Sequence, residues 1–244
     1  MKRRHFIKST GLMGMGLTVI PKLVLQQNKQ LMSYNDLIGK GNPKVFGNGY
    51  KLRKEAHNAF LVMSAEALKS DIKLKAVSSY RNFTHQNSIW ERKYKQNINK
   101  GLSPIESIHK IIEYSTIPGT SRHHWATDID LIDAYAKQPK DVLDPKHFKN
   151  NGCFLKFKNW MDSNASRYGF YLVYNNDTNR EGFKYEPWHY SYKPLSQTYL
   201  QAYKKLDLHT IINTENLMGS EHFSKEFITN YLNKNILDIN PVLL

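Results

Sequence analysis

Two short polar segments, far apart in the chain, place the strongest constraint on its fold. The first, residues 118–131, reads Pro-Gly-Thr-Ser-Arg-His-His-Trp-Ala-Thr-Asp-Ile-Asp-Leu and carries two histidines and two carboxylates. The second, residues 186–189, reads Glu-Pro-Trp-His and supplies another acid and another imidazole. Catalytic Zn²⁺ takes three such ligands and keeps a fourth position open. We therefore predict one metal site that the fold assembles from both segments.

Within these segments we assign three metal ligands and one general base. The ligands are His123, Asp130 and His189, and the base is Glu186. Residues 127–132 alternate polar and apolar side chains, as a half-buried strand does. Asp128 therefore shares a strand face with Asp130 and is the second candidate for an acidic role.

The spacing of Glu186 and His189 predicts an irregular backbone at the second segment. Residues three apart point to opposite faces of a regular strand. Pro187 lies between them and favours a break in the strand, because proline restricts the residue before it. Such an irregular entry would let both side chains reach one pocket.

The order and spacing of these residues resemble those of the VanY-type D-alanyl-D-alanine carboxypeptidases, zinc peptidases of the M15 family. The resemblance covers residues 45–195 and rests on these motifs: Ser121-Arg122-His123, Asp130 seven positions after His123, residues 186–189, and Ser78-Ser79-Tyr80-Arg81 followed by Gln86. The family motif that corresponds to residues 78–81 usually reads Ser-Gly-Tyr-Arg, so Ser79 stands where the family has glycine. Ala126 and Asp128 stand where it usually has glycine and alanine.

The resemblance implies an enzyme that removes the C-terminal D-alanine from peptidoglycan stem peptides, with one Zn²⁺ per chain. It favours Asp130 as the acidic ligand, because its spacing from His123 is the family's. Arg81 is always cationic and would stabilise the oxyanion or hold a substrate carboxylate. The motifs also assign three side chains to substrate binding: Tyr80, Gln86 and Ser121.

Two other functions stay open at this stage. An L,D-carboxypeptidase or an endopeptidase acting on the same wall peptides would use the same residues. A non-catalytic wall-binding module would keep the fold but lose a ligand or Glu186, and the chain has all four of these residues. Because the sequence has no zinc-finger or RNA-recognition signature, we expect no nucleic-acid partner. We also expect a monomer.

Periodicity predicts an α+β fold, in which a small antiparallel sheet carries the zinc site and helices pack on one face. Residues 52–70, 83–97 and 152–168 have helical patterns, and Ser103 to Glu106 form a capping box before a helix over 105–114. Strands are predicted over 73–78, 127–132, 170–174 and 183–192. Residues 200–244 lie outside the resemblance and predict a helical extension packed on the catalytic domain.

The first 25 residues are typical of a targeting segment. A twin-arginine pattern at residues 2–8 precedes a short, glycine-rich apolar run over 11–20. That run is too short to span a membrane, so we expect export to the periplasm or cell envelope without a stable transmembrane span. Without the five positive charges of this segment, the formal net charge falls from +14 to +9.

The single cysteine, Cys153, excludes an intramolecular disulfide, and we interpret it as a small buried residue in a helix.

Overall fold

Four short strands form the sheet that positions the rest of the protein. In the computed structural model, which describes residues 32–213 and 215–244, they are β1 (Leu74–Ser78), β2 (Asp128–Asp133), β3 (Phe170–Leu172) and β4 (His189–Tyr192). Their order across the sheet is β1-β2-β4-β3, and all three pairings are antiparallel. The predicted α+β class and the small antiparallel sheet are therefore confirmed.

Eight α-helices surround this sheet in the described part of the chain. They are α1 (Tyr34–Leu37), α2 (Lys54–Lys69), α3 (Phe83–Asn99), α4 (Pro104–Ile111), α5 (Leu155–Asn164), α6 (Lys193–Tyr203), α7 (Leu208–Asn213) and α8 (Lys225–Tyr231). Each of them is too short or too polar to cross a lipid bilayer. The predicted signal segment, residues 1–25, lies outside the described residues.

Apolar side chains form two separate cores. One core lies between the sheet and helices α2 and α5, and its strand residues include Ile129 and Leu131. The other is built from helices α3, α4, α6, α7 and α8, and it includes Trp125 and Tyr174. Because β2 alternates, Asp128 and Asp130 project away from the face that Ile129 and Leu131 occupy. The polar face of β2 is therefore left to build a site.

Capping residues in the sequence mark where two of the helices begin or end. The capping box before α4 forms as predicted, since the Ser103 hydroxyl accepts from the Glu106 amide and the Glu106 carboxylate accepts from the Ser103 amide. Gly169 follows a 3₁₀ turn after α5 and adopts φ +79°, a conformation that favours glycine. The predicted helix over 152–168 is therefore α5 followed by that turn.

Two sequence predictions were wrong in detail. The strand predicted over 183–192 is regular only in β4, because residues 186–189 form a turn in which the His189 amide donates to the Glu186 carbonyl. Cys153 was predicted to be a buried helical residue, but it lies in a turn before α5 and is only partly buried. The chain is still turning at this point, since the Gly152 amide donates to the Lys149 carbonyl.

The residues beyond the family resemblance contact the loop that leads to His123. Tyr203 donates its hydroxyl to the carbonyl of Gly119 at 2.9 Å. The Tyr231 hydroxyl accepts from the Ile117 amide at 3.1 Å and lies 2.8 Å from the Thr120 hydroxyl. Since the Thr120 hydroxyl donates to the Ile117 carbonyl, the Tyr231 hydroxyl donates to Thr120. Helices α6 and α8 thus hold this loop through buried polar contacts as well as apolar packing.

We expect Tyr231→Phe to destabilise the protein by about 1–3 kcal/mol, because the buried Ile117 amide would lose its acceptor. Urea unfolding monitored by circular dichroism measures this change. Tyr199→Phe is the matched control, because Tyr199 is a buried tyrosine of α6 whose hydroxyl has no protein hydrogen bond among the described residues. Equal stability of the two variants would contradict the assigned role of the Tyr231 hydroxyl.

Candidate active site

The pairing of β2 with β4 brings the two sequence segments together. In this antiparallel ladder, Asp130 is directly opposite His189. Directly opposed residues on one face of a sheet have Cβ atoms about 4.5–5.5 Å apart. The carboxylate of the first segment and the imidazole of the second therefore meet without any help from loop conformation.

A short 3₁₀ helix, Arg122–Trp125, delivers the other histidine to the same place. Ser121 caps this helix, and its hydroxyl accepts from the His123 amide at 3.3 Å. Ala126 ends the helix in the left-handed region at φ +57°, which explains why glycine is usual at this position in the resembling family. The chain then enters β2 directly, so His123 and Asp130 have a fixed separation.

The three predicted ligands form a cluster of the size that one metal ion needs. One donor atom from each of His123, Asp130 and His189 lies within 4.8 Å of the other two. Nε2 of His123 is 3.5 Å from the Asp130 carboxylate, and Nδ1 of His189 is 3.9 Å from it. Oδ1 of Asp130 is buried and has no hydrogen-bond partner within the described part of the chain. Two imidazoles and one carboxylate with an unsatisfied oxygen fit a zinc-type donor set.

The second nitrogen of each imidazole is held from outside the cluster. Nδ1 of His123 donates to the carbonyl of Ser79 at 2.8 Å, and Nε2 of His189 donates to the Asp128 carboxylate at 3.0 Å. These contacts fix the ring orientations and leave Nε2 of His123 and Nδ1 of His189 directed at the cluster. Metal-binding histidines in proteins are oriented by such outer hydrogen bonds.

Asp128 is the functional residue whose role the sequence did not specify. It is completely buried and does not belong to the ligand cluster. Its carboxylate accepts from the Arg122 guanidinium at 2.8 Å, from the Ser191 hydroxyl at 2.7 Å and from the Thr127 hydroxyl at 2.9 Å. With its oxygens engaged in this way, Asp128 orients His189 and is not available as a ligand or as a general base.

Burial and neighbouring charges give the two histidines opposite pKa shifts. Burial and the Arg81 charge lower the pKa of His123 to about 4, so this ring is neutral and ready to bind metal at pH 7. Burial also lowers the pKa of His189, but hydrogen bonds to Asp128 and Glu186 outweigh it and raise this pKa to about 10. In the metal-free protein His189 is therefore a cation between two carboxylates. Metal binding at Nδ1 has to displace its proton.

Glu186 lies beside the cluster without belonging to it. Its Oε2 is 2.9 Å from Nδ1 of His189, and the turn at Pro187 permits this contact as predicted. Burial raises the pKa of Glu186, although the hydrogen bond with His189 opposes this rise. A carboxyl group with a raised pKa next to a metal site suits proton transfer at neutral pH.

The three ligand candidates and Glu186 line a cavity of about 740 Å³. Of the other predicted site residues, Arg81 and Ser121 line it. Tyr80 and Gln86 do not. The Tyr80 hydroxyl reaches the Gly41 carbonyl at 3.4 Å, and Gln86 is buried and donates to the Thr116 carbonyl at 2.9 Å. For these two residues, contact with substrate stays a prediction.

The two residues that follow His123 in sequence, His124 and Trp125, do not line the cavity. The His124 ring lies in the interior, where its Nδ1 is 2.6 Å from the Arg81 carbonyl and its Nε2 accepts from the Gly119 amide. Trp125 packs in the core formed by helices α3, α4, α6, α7 and α8, and its indole N–H donates to the Leu37 carbonyl. Both residues support the loop from behind the site.

Comparison with known proteins identifies the family. A sequence model described as VanY, D-alanyl-D-alanine carboxypeptidase, matches residues 49–195, which is more than half of the chain. The chain belongs to the VanY family. VanXYC of Enterococcus gallinarum, a bifunctional D-Ala-D-Ala dipeptidase and D-Ala-D-Ala carboxypeptidase, is 30% identical over 148 residues, covering 60% of this chain and 69% of the relative. Family membership and the metal-binding donor set make this VanY-family chain a metallopeptidase.

Solved structures support the fold. VanYB in complex with D-alanine-D-alanine superposes with a TM-score of 0.50 at 22% identity, covering 71% of this chain and 88% of VanYB. A vancomycin-resistance D,D-pentapeptidase VanY mutant in complex with Zn(II) gives a TM-score of 0.51 at 19% identity, covering 79% of this chain and 100% of that structure. The predicted sheet with its surrounding helices is therefore the fold of this family.

We expect Asp128→Asn to weaken zinc binding by about 10- to 100-fold, the usual effect of changing an outer partner of a metal-binding histidine. The substitution keeps the shape of the side chain and removes the charge that faces His189. Competition with a chromogenic chelator measures the affinity. Asp133→Asn is the matched control, because Asp133 is buried on the same strand but accepts from the Lys73 and Tyr135 amides. Wild-type zinc affinity in Asp128→Asn would contradict the positioning role.

Proposed function

We propose that this VanY-family protein is an exported zinc D-alanyl-D-alanine carboxypeptidase that removes the C-terminal D-alanine from peptidoglycan stem peptides. The observation that carries this proposal is the position of Glu186, an acid with a raised pKa 2.9 Å from a histidine of the donor cluster. A wall-binding module would have no need for a buried acid beside an intact donor set. The family match supports the D-alanyl-D-alanine substrate.

The proposed zinc ligands are His123, Asp130 and His189. When bound, zinc supplies Lewis acidity, which activates water at neutral pH and polarises a peptide carbonyl. The protein's contribution is to hold three donors in place before the metal arrives. It does so through the Ser79 carbonyl, which fixes His123, and through Asp128, which fixes His189.

Glu186 is the proposed general base. One of its carboxylate oxygens accepts a proton from the attacking water and then delivers it to the amine of the departing D-alanine. Its raised pKa brings the carboxyl closer to the operating pH, so that both transfers are accessible. Its place in a buried cavity also strengthens its interaction with the charges that form during the reaction.

Arg81 is the proposed electrostatic residue on the substrate side. Its backbone amide donates to the His123 carbonyl at 3.2 Å, which ties it to the metal loop. The Arg81 side chain lines the cavity and forms no ion pair among the described residues, so its charge is available to a substrate oxygen. Ser121 lines the cavity between the loop and the cluster and is proposed as a further substrate contact. Tyr80 and Gln86 are also proposed as substrate-binding residues, although neither lines the cavity.

We expect Glu186→Gln to lower turnover by about 10²- to 10⁴-fold, the typical contribution of general acid–base catalysis, while zinc content stays near one per chain. Glutamine keeps the volume of the side chain and removes the base. Mass spectrometry of a defined stem pentapeptide measures loss of the terminal D-alanine. Glu113→Gln is the control, because Glu113 pairs with Lys110 and Lys184 away from the cavity.

The same assay decides among the related reactions. Cleavage of the pentapeptide but not of the tetrapeptide identifies a D,D-carboxypeptidase. The reverse preference identifies an L,D-carboxypeptidase, and internal fragments identify an endopeptidase. Wild-type turnover in Glu186→Gln, or loss of zinc from it, would remove Glu186 from the role of base.

The proposed location follows from the first 25 residues. A twin-arginine signal directs the export of a folded protein and depends on its two arginines. Replacing Arg3 and Arg4 by lysine should therefore leave the protein in the cytoplasm. Fractionation of cells with an antibody against the protein measures this distribution. Unchanged export of the double variant would show that these arginines are not a targeting signal.

A further inference from the structure

One face of helix α3 forms a wall of the catalytic cavity. Ile89, Arg92 and Lys93, which are spaced at i, i+3 and i+4, all line it. Gln86 and Trp90, on the adjoining face of the helix, are buried in the interior. The orientation of α3 is therefore set by its core residues, and two adjacent cations face the space where a peptide would lie.

No acid in the described part of the chain pairs directly with these two cations, although the charges of Glu186 and Asp141 act on Lys93. Within the described ranges, neither Arg92 nor Lys93 has a side-chain ion pair or hydrogen bond. Lys95 on the same helix, by contrast, is paired with Glu91 at 3.3 Å. Lys93 is half-buried, and burial lowers its pKa. A partly desolvated cation without a partner is unfavourable unless an anion comes to it.

Two acids across the cavity do not cancel this charge. Asp141 and Asp144 line the cavity from the segment before the 3₁₀ turn Pro145–Phe148. Asp144 already pairs with the Lys146 side chain at 2.6 Å and caps the turn by accepting from the Lys146 amide. The cavity thus has two cations on α3, and of the two acids in this segment Asp144 is already paired, while Asp141 acts on Lys93 without a direct ion pair among the described residues.

We infer that Arg92 and Lys93 form a subsite for a second carboxylate of the peptide substrate, one that lies upstream of the terminal D-alanine. This inference rests on the proposed function. Arg81 is distinct from this pair, because its backbone amide donates to the metal loop and its charge acts on the ligand Asp130, whereas the charge of Lys93 interacts with Glu186 and Asp141. Arg81 therefore serves the reacting end of the peptide, and the α3 pair serves a residue further from the cut. The ligand class is an anionic peptide.

Two peptides that end in D-Ala-D-Ala test the subsite, one with a free carboxylate on an upstream residue and one with the matching carboxamide. Their affinities are measured by calorimetry on the zinc-loaded full chain carrying Glu186→Gln, so that neither is consumed. We expect the carboxylate peptide to bind about tenfold more tightly than the carboxamide. In the same background, Arg92→Gln combined with Lys93→Gln should bring this ratio to about one.

Lys95→Gln is the matched control and should keep the tenfold ratio, because Lys95 lies on another face of α3. A ratio near one in the parent protein overturns the inference. So does an equal loss of affinity for both peptides in the double variant, since the cations would then bind the terminal carboxylate. Hydrolysis is measured separately with the wild type. If neither peptide is hydrolysed, the proposed function fails, while the binding ratio still decides whether the subsite exists.

Discussion

The antiparallel pairing of β2 with β4 is the constraint on which the site depends. It sets Asp130 opposite His189, and a slip of one residue would turn the acidic side chains of β2 toward the apolar core. Ile129 and Leu131 oppose such a slip, because their burial against α2 and α5 would be lost. The hydrophobic face of the strand thus specifies the geometry of its polar face.

Asp128 and His189, two buried charged groups of the site, each have a partner of opposite sign. Arg122 balances Asp128, and the His189 cation of the metal-free protein lies between Asp128 and Glu186. Burying a single charge without such a partner costs several kcal/mol. A bound metal ion carries the positive charge that the His189 proton supplies in its absence.

Local signals in the sequence predicted much of this arrangement. The capping box and the alternation of β2 each depend on residues close together in the chain, so both were predictable. The role of Asp128 was not, because it depends on contacts with Arg122 and Ser191, which lie on different elements. Sequence showed only that Asp128 shares a face with Asp130. That position is consistent with a ligand, a base or an orienting residue, and hydrogen bonds to residues distant in sequence decide among them.

The departures from the family pattern also became interpretable only through tertiary contacts. Ser79, at a position where glycine is usual, accepts from the Lys51 amide through its hydroxyl at 2.9 Å while its carbonyl orients His123. The extra side chain therefore ties the segment before α2 to the site. Ala126 retains the left-handed backbone conformation that glycine would adopt more easily. The Ser79 side chain thus adds a contact beside the site, and Ala126 adopts a backbone conformation there that is uncommon for residues with a side chain.

The C-terminal helices extend this dependence beyond the segment that resembles the family. Trp125, which directly precedes Ala126 and β2, is covered by Tyr199 and Tyr203 of α6, with ring centroids 6.0 and 5.7 Å away. Tyr231 of α8 supplies the acceptor for the Ile117 amide. A fragment ending at residue 195 would expose this tryptophan and leave that amide unpaired, although every proposed ligand would still be present. The motifs identify the chemistry, but the residues that hold the metal loop in place extend through the C-terminal helices, so the folding unit is larger than the family segment.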